Sequence, residues 1–171
     1  MSLLNSKFDI VSVDNPMALA AIAQVLAVDS PPALGINGTP TPGTIPPGAI
    51  IEMNSAGKAV LASAVDVVAA PLTAKMAFVT LDGNKDLSGA FVQKLTVLAG
   101  GFTMLTDQYV AGAFLPGLQV SYGTTGGGNA GKVILRTATT QPLLGVVGPA
   151  GLDTVNGVLQ VIVPQGAGFA I

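Results

Sequence analysis

Glycine and proline punctuate this chain so closely that little room is left for long helices. From residue 49 onward, short runs of Val, Ile, Leu and Thr are separated by Gly, Asp-Gly and Pro-Gly. That texture belongs to all-β sandwiches and barrels, in which β-branched residues fill pleated strands and glycines supply the turns. Strands are expected over 50–53, 59–62, 76–81, 91–98, 117–122, 132–137, 143–147 and 158–163, with Asp82-Gly83 as a turn. The fold class is therefore all-β: a compact β-barrel or β-sandwich over residues 49–171, preceded by an arm over residues 1–48.

Within the arm, residues 7–13 alternate loosely and suit a short strand. Asp14, Asn15 and Pro16 then form a helix start, with proline at the first helical position. A short helix is expected over 17–28, with Leu19, Ile22, Ala23 and Leu26 as its stripe; an extended segment lying across a neighbour is the alternative. Gln24 is its one clearly polar side chain, and a helix apolar on nearly all sides needs covering on nearly all sides. Residues 30–48 hold six prolines and four glycines, which blocks helix and central strand alike and marks a linker.

Composition bears on function through charge. Asp, Glu, Lys and Arg make up 9% of the chain against 50% hydrophobic residues, where a free-standing soluble domain carries about 25% charged residues. A surface so poor in charge implies that much of it meets other protein, so the chain is expected to be a building block of an assembly. The net charge is −2, with no basic stripe to neutralise phosphates, so nucleic acid is not an expected partner. Mean hydropathy is +0.65, but Gln24 and Asp66 interrupt the longest apolar stretches, which fall short of the roughly 18–20 clean residues of a spanning helix. No membrane partner is expected, and the opening residues lack the pattern of an export signal.

One internal echo stands out. Pro47-Gly48 followed by Ala49-Ile50-Ile51-Glu52-Met53 and Ala56-Gly57-Lys58 resembles Pro116-Gly117 followed by Leu118-Gln119-Val120-Ser121-Tyr122 and Ala130-Gly131-Lys132. Each stretch suits a strand, a glycine turn and a returning strand. The echo is either a duplicated unit or the common grammar of β-hairpins; two copies fall short of a repeat array, which favours the grammar slightly.

Three motifs suggest chemistry and lack its context. Gly126 to Lys132 has phosphate-loop spacing, but Val133 replaces the Ser or Thr that would hold magnesium, and strand formers follow where a helix is needed. Ser55-Ala56-Gly57-Lys58 has serine–lysine spacing without the accompanying Ser-Asp-Asn and Lys-Thr-Gly elements. Asp82, Asn84 and Asp86 match the first places of a calcium loop, but Leu87 and Gln93 stand where Gly and Glu belong. The chain has no His and no Cys, and its carboxylates are dispersed. No catalytic, cofactor-binding or metal-binding residue is assigned, no cofactor is expected, and an enzyme is not expected.

The segments Leu81-Asp82-Gly83-Asn84-Lys85-Asp86, Val92-Gln93-Lys94-Leu95-Thr96-Val97-Leu98-Ala99-Gly100-Gly101-Phe102, Thr106-Asp107-Gln108-Tyr109, and Pro116-Gly117 closing on Leu144-Gly145-Val146-Val147 carry a resemblance. Together they resemble the capsid decoration, or cement, proteins of tailed bacteriophages. The similarity spans 71–171 and is one of style rather than of a diagnostic signature. It implies a compact β-domain, often a homotrimer, that sits on the outer face of an icosahedral head and bridges neighbouring major capsid subunits without an active site. It also implies a virion location after assembly in the host cytoplasm. On this view residues up to about Gly48 dock on a neighbouring subunit while the β-domain trimerises.

Other classes make different demands. A tail-tube, tail-terminator or fibre-base protein would form closed hexameric rings or stacked tubes. A barrel holding an apolar small molecule would be a monomer with a deep pocket.

Overall fold

A computed structural model describes residues 7–13, 24–27, 45–53, 59–62, 77–81, 94–98, 100–123 and 129–164. Everything among them is strand, turn or irregular; none is helical. The strands are β1 (Phe8–Val13), β2 (Gln24–Ala27), β3 (Ile50–Met53), β4 (Ala59–Leu61), β5 (Ala77–Thr80), β6 (Lys94–Leu98), β7 (Phe102–Thr106), β8 (Gln119–Tyr122), β9 (Val133–Leu135), β10 (Gly145–Asp153) and β11 (Val158–Val163). They form two antiparallel sheets, ordered β2-β6-β5-β3-β4 and β1-β7-β11-β10-β8-β9. The all-β expectation holds, and the recorded pairing closes neither sheet into a barrel among the described residues.

The helix expected over 17–28 is corrected where it can be checked, because Gln24–Ala27 is a strand paired with β6. An apolar run does not by its periodicity distinguish helix from strand. Pairing with an open sheet edge satisfies its backbone in the extended form. The rest of that span, most of the 30–48 linker and the Asp82-Gly83 turn lie outside the described residues. The stretch assigned to an arm contributes a strand to each sheet: β1 runs alongside β7, with a bulge between Ile10 and Ser12. Ile45, at the end of the proline-rich stretch, is buried in the core.

The two sheets repeat one design. Adding five to each strand number of β2-β6-β5-β3-β4 gives β7-β11-β10-β8-β9, with every neighbouring pair antiparallel in both. The hydrogen bonds agree residue by residue. Ala49 N donates to Pro46 O, and Leu118 N to Leu115 O, each at 3.2 Å across a Pro-Gly turn. The turn glycines have φ 74° and 84°, as a type II turn requires at its third residue. Gly48 N donates to Thr80 O and Gly117 N to Val147 O; in return Thr80 N donates to Ala49 O and Val147 N to Leu118 O. Then Ile51 faces Leu61 as Val120 faces Leu135. The sequence echo is therefore the visible part of a duplicated five-strand unit, not hairpin grammar alone, and β1 is an addition to the second unit.

The units share a core. Ile50, Val79 and Leu98 from the first meet Phe102, Met104, Val120, Val147 and Val161 from the second in one buried cluster. The alternate residues Ile51, Phe78 and Val97 pack with Ile45 and Ala49 in a second cluster on the other face of the first sheet. This follows from the period of two along a strand, and it explains why the first unit's strands are apolar at consecutive positions rather than at every other one.

Candidate interaction surface

The duplication allows one surface to be compared in two settings: the base of each hairpin, where the Pro-Gly turn opens the strand. In the first unit that base is filled by the second unit. Thr106 Oγ1 donates to Gly48 O at 3.3 Å. Phe8 lies so close that a Cβ on Gly48 would stand 2.5 Å from its Cδ2. Gly131, in the second unit's hairpin turn, completes the filling: its N donates to Ala62 O and its carbonyl accepts from Ile50 N, both at 2.8 Å.

In the second unit the same base is open. A Cβ on Gly117 would meet nothing within 4 Å. Leu115 is 64% exposed and Leu118 41%, with Ala111, Ala113, Pro116, Pro149 and Ala150 exposed beside them. Arg136 N donates to Gln119 O as Ala62 N does to Ile50 O. No described residue takes the bridging place that Gly131 has in the first unit.

This apolar ridge has a fixed shape. Phe114, 4% exposed, anchors it in the core, and its ring meets Tyr109 edge to face with centroids 5.7 Å apart. Beside it, the four residues 148–151 of β10 bulge opposite the single Gln160 of β11. Gln160 Oε1 accepts from Ala150 N at 2.8 Å and holds that bulge in place. At the rim, the Arg136 guanidinium donates to Gln119 Oε1, Thr139 O and Gln141 O. No Asp, Glu, Lys or Arg occurs between Asp107 and Lys132, or between Arg136 and Asp153. A rigid, uncharged, solvent-facing apolar ridge is the mark of a protein contact.

Among the described residues the remaining polar features carry no comparable assembly of groups. No cluster of acidic side chains suited to a metal ion occurs among the described residues. Ser55 to Lys58, Asp82 to Asp86 and Gly126 to Gly128 lie outside those residues, but Val133–Leu135 is a strand, as the argument against a phosphate loop requires. The turn between β10 and β11 is tied by Asp153, whose Oδ1 accepts from Val155 N and Asn156 N and whose Oδ2 accepts from Asn156 Nδ2. Those bonds, those of the Asn156 side chain first, hold the Asp153 carboxyl below its ordinary pKa.

Where the two units meet, Tyr122 and Glu52 are both buried. Burial first, and the Glu52 carboxylate second, push the Tyr122 phenol from 10.0 up to about 12. A pKa raised in the fold stabilises it fully below the unfolded value, and that contribution is lost as pH climbs through the folded one. Thermal melts from pH 10 to 12 should therefore fall more steeply for the wild type than for Tyr122→Phe; parallel slopes would contradict the burial of this phenol.

No family model, curated protein or solved structure matches this chain, and among the described residues no helix is long and apolar enough to cross a membrane.

Proposed function

We propose that this chain is a structural virion protein that attaches to the outer face of a tailed-phage capsid and stabilises the lattice by bridging major capsid subunits. The observation that carries this is the low charge of the chain, 9% of its residues, with which the exposed apolar ridge around Leu115 and Leu118 agrees. Such a surface acts by being covered. Binding that holds shell subunits together stabilises the shell in proportion to the occupancy of its sites, and an interface of standard size buries about 1,200–2,000 Å². The resemblance of residues 71–171 to decoration proteins supplies the kind of lattice, and the β-rich fold is the kind that the resemblance implies.

The test is uptake by capsids. Purified protein mixed with expanded tailed-phage capsids stripped of decoration should pellet with them, saturate at a fixed ratio per capsid subunit, and raise the temperature at which the shells open. Absence from the pellet at micromolar concentration would overturn the proposal. Closed hexameric rings or stacked tubes formed by the protein alone would replace it with a tail-component role.

A further inference from the structure

We propose that the open hairpin base of the second unit is covered by the first unit of a second copy of this chain, so that copies join head to tail. The inference rests on the assembly role above and adds which face makes the contact and what it meets. Within one chain the structure already shows what covers such a base. In the first unit, the Pro47-Gly48 turn is packed by Phe8 and Thr106, and Gly131 bridges Ile50 N and Ala62 O. All of these covering groups come from the second unit and its added strand β1. The second unit presents the same turn, the same strand opening and the same returning strand, uncovered.

A first unit has the strand order of the second without the added strand β1, so the first unit of another copy can stand to this vacancy as the second unit stands to the first, less the packing that Phe8 gives. Because a first unit is covered and a second open, the two units of one chain are not related by a closed exchange of contacts. Repeating the contact between chains is then heterologous, and it forms a ring when the rotation closes.

The chemistry of the ridge favours a copy over an unrelated partner. Four of its backbone amides are committed internally: Leu115 N to Ala113 O, Gly117 N to Val147 O, Leu118 N to Leu115 O, and Ala150 N to Gln160 Oε1. Contact there rests chiefly on apolar area and shape, as in permanent homo-oligomers. Although each chain carries a net −2, the ridge segments 111–118 and 148–151 hold no Asp, Glu, Lys or Arg, so copies approach through them without like-charge repulsion. Val155 is more exposed, at 91%, but it stands alone on the polar Asp153–Asn156 turn and serves as the control.

The experiment is light scattering on the full chain and its variants at micromolar concentration. The wild type should be an oligomer, and Leu115→Asp with Leu118→Asp should weaken association on the order of a hundredfold or more, to monomer. Val155→Asp should leave the oligomer intact. Ala113→Arg, which removes almost no packing, repeats the test should the double variant fold poorly. The chain has no cysteine, so Leu115→Cys under oxidation reports geometry: head-to-tail copies keep their ridges apart and give no covalent dimer. A wild-type monomer, an oligomer that survives both ridge variants, dissociation by Val155→Asp, or quantitative disulfide dimers of Leu115→Cys would each overturn the inference. Capsid uptake is scored separately, so a monomer that still coats shells would sink this inference and leave the proposed function standing.

Discussion

Replacing Phe114 with alanine is expected to lower stability by about 3–5 kcal/mol and, in the same protein, to abolish self-association. Phe114 is buried in the shared core while its neighbours Ala113 and Leu115 face solvent. The ring thus holds the ridge to the domain. Its removal leaves a cavity in the buried cluster that it shares with Val120 and Val133, and it ends the edge-to-face contact with Tyr109. At roughly 2–4 °C per kcal/mol for a chain of this size, the melting temperature should fall by about 10 °C. The double ridge variant with two aspartates should dissociate without that loss of stability, since Leu115 and Leu118 are exposed. Calorimetry and light scattering on both proteins separate the two effects; a Phe114→Ala protein that melts like the wild type would show that the ridge is not anchored by this ring.

Gly48→Ala is expected to be comparably damaging although it adds a single methyl group. The residue has φ 74°, where a side chain costs about 1–2 kcal/mol, and the new Cβ would fall 2.5 Å from Phe8 Cδ2 and 2.8 Å from Thr106 Oγ1. Crowding of that kind adds about 1–3 kcal/mol. Gly48 joins the sheets, since its N–H bonds Thr80 of β5 and its carbonyl accepts from Thr106 of β7. Strain there loosens the junction of the two units rather than one strand. The duplication provides the control: Gly117→Ala has a similar φ of 84° but open space around its Cβ. Measured in the dissociated Leu115→Asp, Leu118→Asp background, where no second copy covers the turn, it should cost only the backbone strain, about 1–2 kcal/mol. Equal losses at the two glycines, measured by denaturant titration, would contradict the difference in packing on which the proposed contact between copies depends.

The contrast between those glycines also shows what the sequence could reveal. Residues 50–53 and 158–163 are strands at the bounds that alternation and glycine punctuation suggest. The hairpin echo was legible because Pro-Gly and Ala-Gly-Lys serve backbone geometry: positive φ admits few residues, so the same letters recur. The rest of the duplication was not legible, because strand pairing uses backbone groups and tolerates any side chain that fits the pleat. Thr80 and Val147 make the same hydrogen bonds with no likeness of side chain.

Strand β7 lies outside the strands expected from sequence, behind Gly100-Gly101, although Phe102, Met104 and Thr106 alternate with the less buried Thr103 and Leu105. That period of two was the available signal. The segment 24–27 departs from the expected helix for the opposite reason: it has too few polar residues to show any period, and pairing with β6 decides its form. The ridge itself could not be found from sequence. Ala111, Ala113, Leu115 and Leu118 look like core residues until the fold turns them outward.

The central claim is that a chain so poor in charge keeps its apolar ridge covered by other protein, and first by copies of itself. The most direct measurement is the solution mass of the purified wild type by light scattering at micromolar concentration. The account predicts a closed multiple of 16.9 kDa, while a single 16.9 kDa particle that stays monomeric as concentration rises would contradict it.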